Sequence, residues 1–136
     1  MEEEFIYTDE RFADLQMLRY RLNGFEQLDL KQKKYVYYLS IATLYGRDIT
    51  FDQYGTFNLR IRKTLEAIYT NRSINRDTDD FLHLEVYLKR VWFSNGIYHH
   101  YGSLKFLPDF SPEYLRECMN MVGTEQSLGN EDAEKQ

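Results

Sequence analysis

Three histidines and a single cysteine carry the strongest claim to chemistry in this chain, and their spacing excludes most of it. His83 and Glu85 stand two apart, so on a helix their side chains diverge. A zinc clasp of the thermolysin kind needs two histidines one helical turn apart, with a glutamate between them to activate water. His99 and His100 are adjacent, and neighbouring side chains also diverge. Either one could give a single ligand to a site completed by other residues, but the two together do not hold one ion. Cys118 is alone, which excludes an intramolecular disulfide and a cysteine zinc cage. No Ser-His-Asp order and no Cys-His pair stands out, and the polar run 71–80 lacks the glycines of a phosphate cradle. Glu85 and Lys89 have the four-residue spacing of a stabilising helix pair, a structural role. The residues therefore assign no catalytic group and no metal ligands.

The elements that must position these residues can be read from periodicity. Phe81, Leu84, Leu88 and Val91 recur at three- and four-residue steps, predicting an amphipathic helix with a broad apolar face and with Trp92 beside it in the core. Asp77 or Thr78 caps its start, and Asn95-Gly96 ends it near Ser94, with Gly96 suited to a left-handed cap. The following Ile97-Tyr98-His99-His100-Tyr101-Gly102 lacks strand alternation and reads as a rigid aromatic loop. In a purely structural alternative, Tyr98 and Tyr101 pack down, the histidines bond locally and the loop sits under Phe106 and Phe110.

Elsewhere, Phe12, Leu15, Leu18 and Leu22 predict a first helix over 9–22 closed by Asn23-Gly24. Asp29 and Gln32 form a capping-box signal for a second helix ending at Gly46, whose Tyr35, Tyr38, Leu39 and Ala42 stripe, widened by Val36 and Leu44, predicts burial on more than one side. Ile61, Leu65, Ile68 and Tyr69 mark a third helix, and Ser111-Pro112-Glu113 opens a last one running to about Val122. The result is a mainly α fold of about five helices with little or no β structure, any of it confined to 47–54 or 103–107. Residues 1–8 read as an acidic lead-in, 9–122 as one helical domain and 123–136 as a polar acidic tail expected to be disordered.

Composition sets further bounds. A 43% hydrophobic, 16% aromatic chain of 136 residues has enough apolar material for a core, and 12 tyrosines suit wide half-buried partner surfaces. The net charge of −5 argues against nucleic-acid binding. Local basic clusters at Lys31, Lys33 and Lys34 and at Arg60, Arg62 and Lys63 have the spacing of solvated helix faces. No apolar run is long enough to span a bilayer, so no membrane role is expected. The opening Met-Glu-Glu-Glu has no signal-peptide pattern, which read literally makes the chain cytoplasmic.

Three stretches together resemble one known family. The run Tyr87-Leu-Lys-Arg-Val-Trp-Phe-Ser-Asn-Gly-Ile-Tyr-His-His-Tyr-Gly, followed by Lys105-Phe106-x-Pro108-x-Phe110, is similar to the N-terminal region of the dipeptidyl peptidase III family of zinc metallopeptidases, in particular its Bacteroidetes-type members. Lys31-Gln-Lys-Lys-Tyr-Val-Tyr-Tyr-Leu-Ser with Gly46-Arg47-Asp48-Ile49, and Asn58-Leu-Arg-Ile-Arg-Lys-Thr-Leu-Glu-Ala-Ile-Tyr-Thr-Asn71, resemble its preceding helices in the same order. The resemblance covers roughly 12–115. It implies a hydrolase that releases dipeptides from peptide N-termini in a cleft between two lobes, using zinc held by His-Glu-x-x-Gly-His and a further glutamate. That hexapeptide is absent from this chain. The resemblance therefore implies a non-catalytic N-terminal segment with no cofactor of its own, inactive alone, with the zinc belonging to the full-length family. Asn95, His99, His100, Tyr101 and Lys105 are its candidates for lining the cleft or docking the other lobe. Two departures stand out: Tyr98 occupies a position where such relatives carry histidine, and the match fades beyond Leu115. Some members of the family carry an export or lipoprotein signal, so an exported protein whose signal has been removed is a second expectation for location. The expected partner is the missing catalytic portion of the same enzyme or, if the chain is a stand-alone helical interaction module, another protein. If the missing portion normally covers part of this surface, the chain should expose a large apolar patch through which it could self-associate.

Overall fold

A computed structural model describes residues 5–123. The chain forms two compact units, Met1–Asp48 and Ile49–Gln136. Among the described residues the elements are strands β1 (Thr8–Phe12) and β2 (Leu15–Leu18), a short 3-10 turn (Phe25–Gln27), and helices α1 (Leu30–Tyr45), α2 (Arg47–Gln53), α3 (Asn58–Thr70), α4 (Asp79–Ser94) and α5 (Pro112–Val122). The fold is thus mostly helical with one small sheet.

In the first unit the expected helix over 9–22 is replaced by an antiparallel hairpin, with Phe12 opposite Leu15 and Thr8 opposite Leu18. A tight turn brings together residues three apart as well as a helical turn does. Ala13 takes a positive φ of 48° in that turn, and Phe12 and Leu15 become the buried pair. Leu18 and Leu22, needed for a helical stripe, are instead exposed. The Arg19 N–H donates to the Tyr7 carbonyl at 2.7 Å, extending the pairing beyond the strands.

Helix α1 starts as its sequence dictates. Asp29 accepts from the Gln32 N–H at 2.8 Å, and the Gln32 side chain accepts from the Asp29 N–H at 3.0 Å. Its expected burial on more than one side is not found, since no residue of α1 is buried. Apolar side chains are spread around the helix, and its unit offers only a hairpin and a 3-10 turn, so Tyr35, Tyr38, Leu39 and Leu44 stay exposed.

The second unit holds the core: Phe51, Leu65, Ile68, Ile74, Phe81, Leu84, Leu88, Val91, Phe110 and Cys118 form one buried cluster. The region 47–52, where an extended piece or a loop was open, is the helix α2, and it delivers Phe51 to this core. The stripe on α4 is buried as its spacing predicts. Of the two candidate caps, Thr78 serves, accepting from the Phe81 N–H at 3.2 Å. Asp80 ties this end of α4 to the start of α5, accepting from the Ser111 N–H at 2.9 Å, while Ser111 caps α5 by accepting from the Tyr114 N–H at 3.2 Å. Pro112 occupies the first turn of α5, where its missing N–H costs nothing.

On α5, Cys118 is buried, and that burial pushes its thiol up from the ordinary value. Burial, with Cys118 alongside, pushes the Tyr114 hydroxyl up from 10.0 to about 12. A group whose folded pKa is raised favours the protonated state in the fold. Its contribution to stability is therefore complete below pH 10.0 and lost as pH rises toward about 12. Urea midpoints measured across this window should fall with rising pH, and the fall should be smaller in Tyr114→Phe.

Candidate docking loop

The loop after α4 is built from a helix stop and a close backbone approach. Asn95 takes the left-handed conformation at φ 54° and ψ 33°, so the asparagine rather than the expected Gly96 makes the left-handed cap. Gly96 has another duty. A Cβ at this position would stand 2.3 Å from Nδ2 of the buried Asn58, so only glycine admits the contact. Asn58 in turn accepts from the Ile97 N–H at 3.2 Å, fastening the loop to the first turn of α3.

From there the chain makes a small hairpin. The Phe106 N–H donates to the Ile97 carbonyl and the His99 N–H to the Leu104 carbonyl, both at 2.8 Å, with Tyr98 bridged to Lys105. This bridge falls within 103–107, but the sheet at 8–18 lies outside the two stretches to which β structure was expected to be confined. The turn closes through the Gly102 N–H to the His99 carbonyl at 3.0 Å. Nδ1 of His99 accepts from the Tyr101 N–H at 3.2 Å, so a neutral His99 carries its proton on Nε2.

Three of the five candidates come together here. The His99 and His100 rings stack at 4.5 Å between centroids, and His100 lies 4.1 Å from the Tyr101 ring. Phe93 meets His100 edge-on at 4.9 Å and Phe106 meets His99 at 6.0 Å. The Arg90 guanidinium covers the Phe106 face at 4.3 Å, as a cation over a π face should. The imidazoles are half-buried against Phe93 and Phe106, whereas Tyr101 projects with 88% exposure and does not pack down as the structural alternative expects. Asn95 is a helix cap. Lys105 sits across the hairpin from Tyr98 and borders a different surface, between α3 and α5.

Two residues lie elsewhere than their type and spacing predict, and a third is buried without an apolar signal. Arg62, assigned to a solvated face, is 3% exposed. Its guanidinium lies 4.5 Å from the Phe51 ring centre, and its Nε is 3.4 Å from Oε1 of Glu66. Trp92, expected in the core, is 39% exposed, with Nε1–H donating to the same Glu66 oxygen at 2.8 Å. Asn58 is buried although its type gives no sign of it. Asn58, Arg62, Leu65 and Ile68 are the buried residues of α3 and recur at helical spacing, a signal present in the sequence but hidden by their polarity. Glu85 and Lys89 are paired at 2.9 Å, as their spacing predicts.

Among the described residues no group of three or more His, Cys, Asp or Glu side chains gathers as a metal site. The described residues do not fit the zinc that the resemblance implies for the full-length family. No helix among the described residues is long and apolar enough to cross a membrane. Compared with known proteins, the chain matches no family model and no curated protein. Purified chain is expected to carry no stoichiometric zinc by elemental analysis and to release no arylamine from dipeptidyl arylamides, because the sequence lacks the two-histidine clasp with its glutamate that would hold zinc and activate its water.

Proposed function

We propose that this chain is the N-terminal, non-catalytic segment of a dipeptidyl peptidase III-like zinc metallopeptidase, and that it acts by docking to the portion carrying the zinc hexapeptide. The observation that carries the reading is the hairpin at 97–106. Its base is fixed by Asn58 and Phe106, and it holds the Tyr101 ring out with 88% of its surface exposed. A rigid aromatic ring presented on a fastened turn loses little entropy on contact, which suits docking better than packing. The ordered resemblance over roughly 12–115 supplies the identity of the partner: a peptidase lobe that would close a cleft against this loop. A second reading, a stand-alone helical interaction module, is favoured by the uncovered apolar side chains of α1, which call for a covering surface of any kind.

The coding sequence beyond Gln136 tests the identity. A His-Glu-x-x-Gly-His hexapeptide there, with dipeptidyl arylamide hydrolysis greater for the two polypeptides mixed than for either alone, is the expected result. A continuation without that hexapeptide would leave the interaction module as the reading.

A further inference from the structure

Between α3, α5 and the returning strand of the 97–106 hairpin lies a groove of about 440 Å³, open to solvent. Ile61 and Leu65 on α3 and Leu115 and Met119 on α5 line it, each pair one helical turn apart. Phe57 stands at its edge with 62% of its surface exposed. Its polar border carries two exposed cations, Arg60 and Lys105, neither of which has a carboxylate partner among the described residues.

The geometry points to this groove as the docking site for an acidic amphipathic helix of a partner protein, whose apolar stripe fills the floor and whose carboxylates meet Arg60 and Lys105. Paired ridges one turn apart match side chains recurring at three- and four-residue steps on an incoming helix, and Met119 adapts its shape to what it meets. An open trough cannot enclose most of a small ligand's surface, which disfavours a small amphipathic carboxylate. The sign of the partner follows from these two cations, which have no carboxylate partner among the described residues. The chain's net charge of −5 repels acidic partners at long range, so selectivity rests on the local pair, acting within the screening length of about 8 Å at physiological salt. The inference goes beyond the peptidase reading and does not depend on a catalytic portion.

The test uses the full chain with methyl-labelled methionine. Met119 reports on the groove, and Met17 on the hairpin of the other unit and exposed Met121 serve as controls. The probe is a designed helical peptide of about 18 residues with a leucine stripe flanked by glutamates, compared with its lysine-flanked counterpart and a scrambled sequence of the same composition. The acidic peptide should shift the Met119 methyl and leave Met17 in place. The lysine-flanked and scrambled peptides, and the Arg60→Glu and Lys105→Glu chains with the acidic peptide, should each bind at least about tenfold more weakly. Both substitutions are at exposed positions, and unchanged melting curves would show that the fold is intact. Equal binding of acidic and basic peptides, a response at Met17 instead of Met119, or no binding would overturn the proposal. So would a groove already covered in the free chain by a second copy or by residues after Gly123, or one filled by dodecanoate in preference to the peptide.

Discussion

Arg62→Ala is expected to destabilise the second unit by about 3–5 kcal/mol, the range for breaking a buried ion pair from one side. The guanidinium stacks over Phe51 at 4.5 Å and lies 3.4 Å from Glu66, which also receives the Trp92 indole at 2.8 Å. Removing it opens a cavity beside Phe51 and leaves a carboxylate with one partner fewer. Arg62→Met separates the two contributions: it keeps most of the volume and discards the charge, and it should cost clearly less than alanine, since apolar replacements of buried ions are often near neutral. Urea unfolding of both variants measures this. If both lose under about 1 kcal/mol, the Arg62–Glu66–Trp92 contacts are incidental to stability.

Gly96→Ala is the second large effect, expected at about 2–3 kcal/mol, because the added methyl meets the Asn58 amide at 2.3 Å and must displace it. Displacing Asn58 also removes its bond to the Ile97 N–H, so the loop should loosen together with the loss of stability. The steric cause predicts coupling. In an Asn58→Ala background, the further cost of Gly96→Ala should shrink, with a non-additivity of about 1 kcal/mol or more. Additive costs in the double variant would place the strain elsewhere.

These two positions also mark where the chain could and could not be read in advance. Helix α4 was legible because an uninterrupted apolar stripe and a Thr78 cap agree with each other, and α5 because Ser111 and Pro112 spell its start. The first hairpin was not. Its turn uses Ala13 at positive φ rather than Asn-Gly, and Phe12 and Leu15 have a spacing that serves a helix equally well. The exposure of α1 was illegible for a different reason: apolar content says that a helix seeks cover, not whether its own unit provides it. Arg62 was assigned to solvent because charge usually is, although its register with Leu65 and Ile68 places it on the buried face. Of the five candidate site residues, the ring cluster of His99, His100 and Tyr101 was legible from its composition. The separate duties of Asn95 as a cap and Lys105 as a groove border depend on the hairpin geometry.

The proposed docking role of the loop rests most directly on Tyr101, whose ring is exposed while the neighbouring imidazoles are half-buried. The deciding measurement is Tyr101→Ala, followed both by thermal melting of the isolated chain and by arylamide hydrolysis after mixing with the proposed catalytic portion. The expected result is an unchanged melting point and a loss of reassembled activity of about tenfold or more, the effect of removing an aromatic anchor from an interface. A lowered melting point with full reassembled activity would contradict it and return the loop to the core.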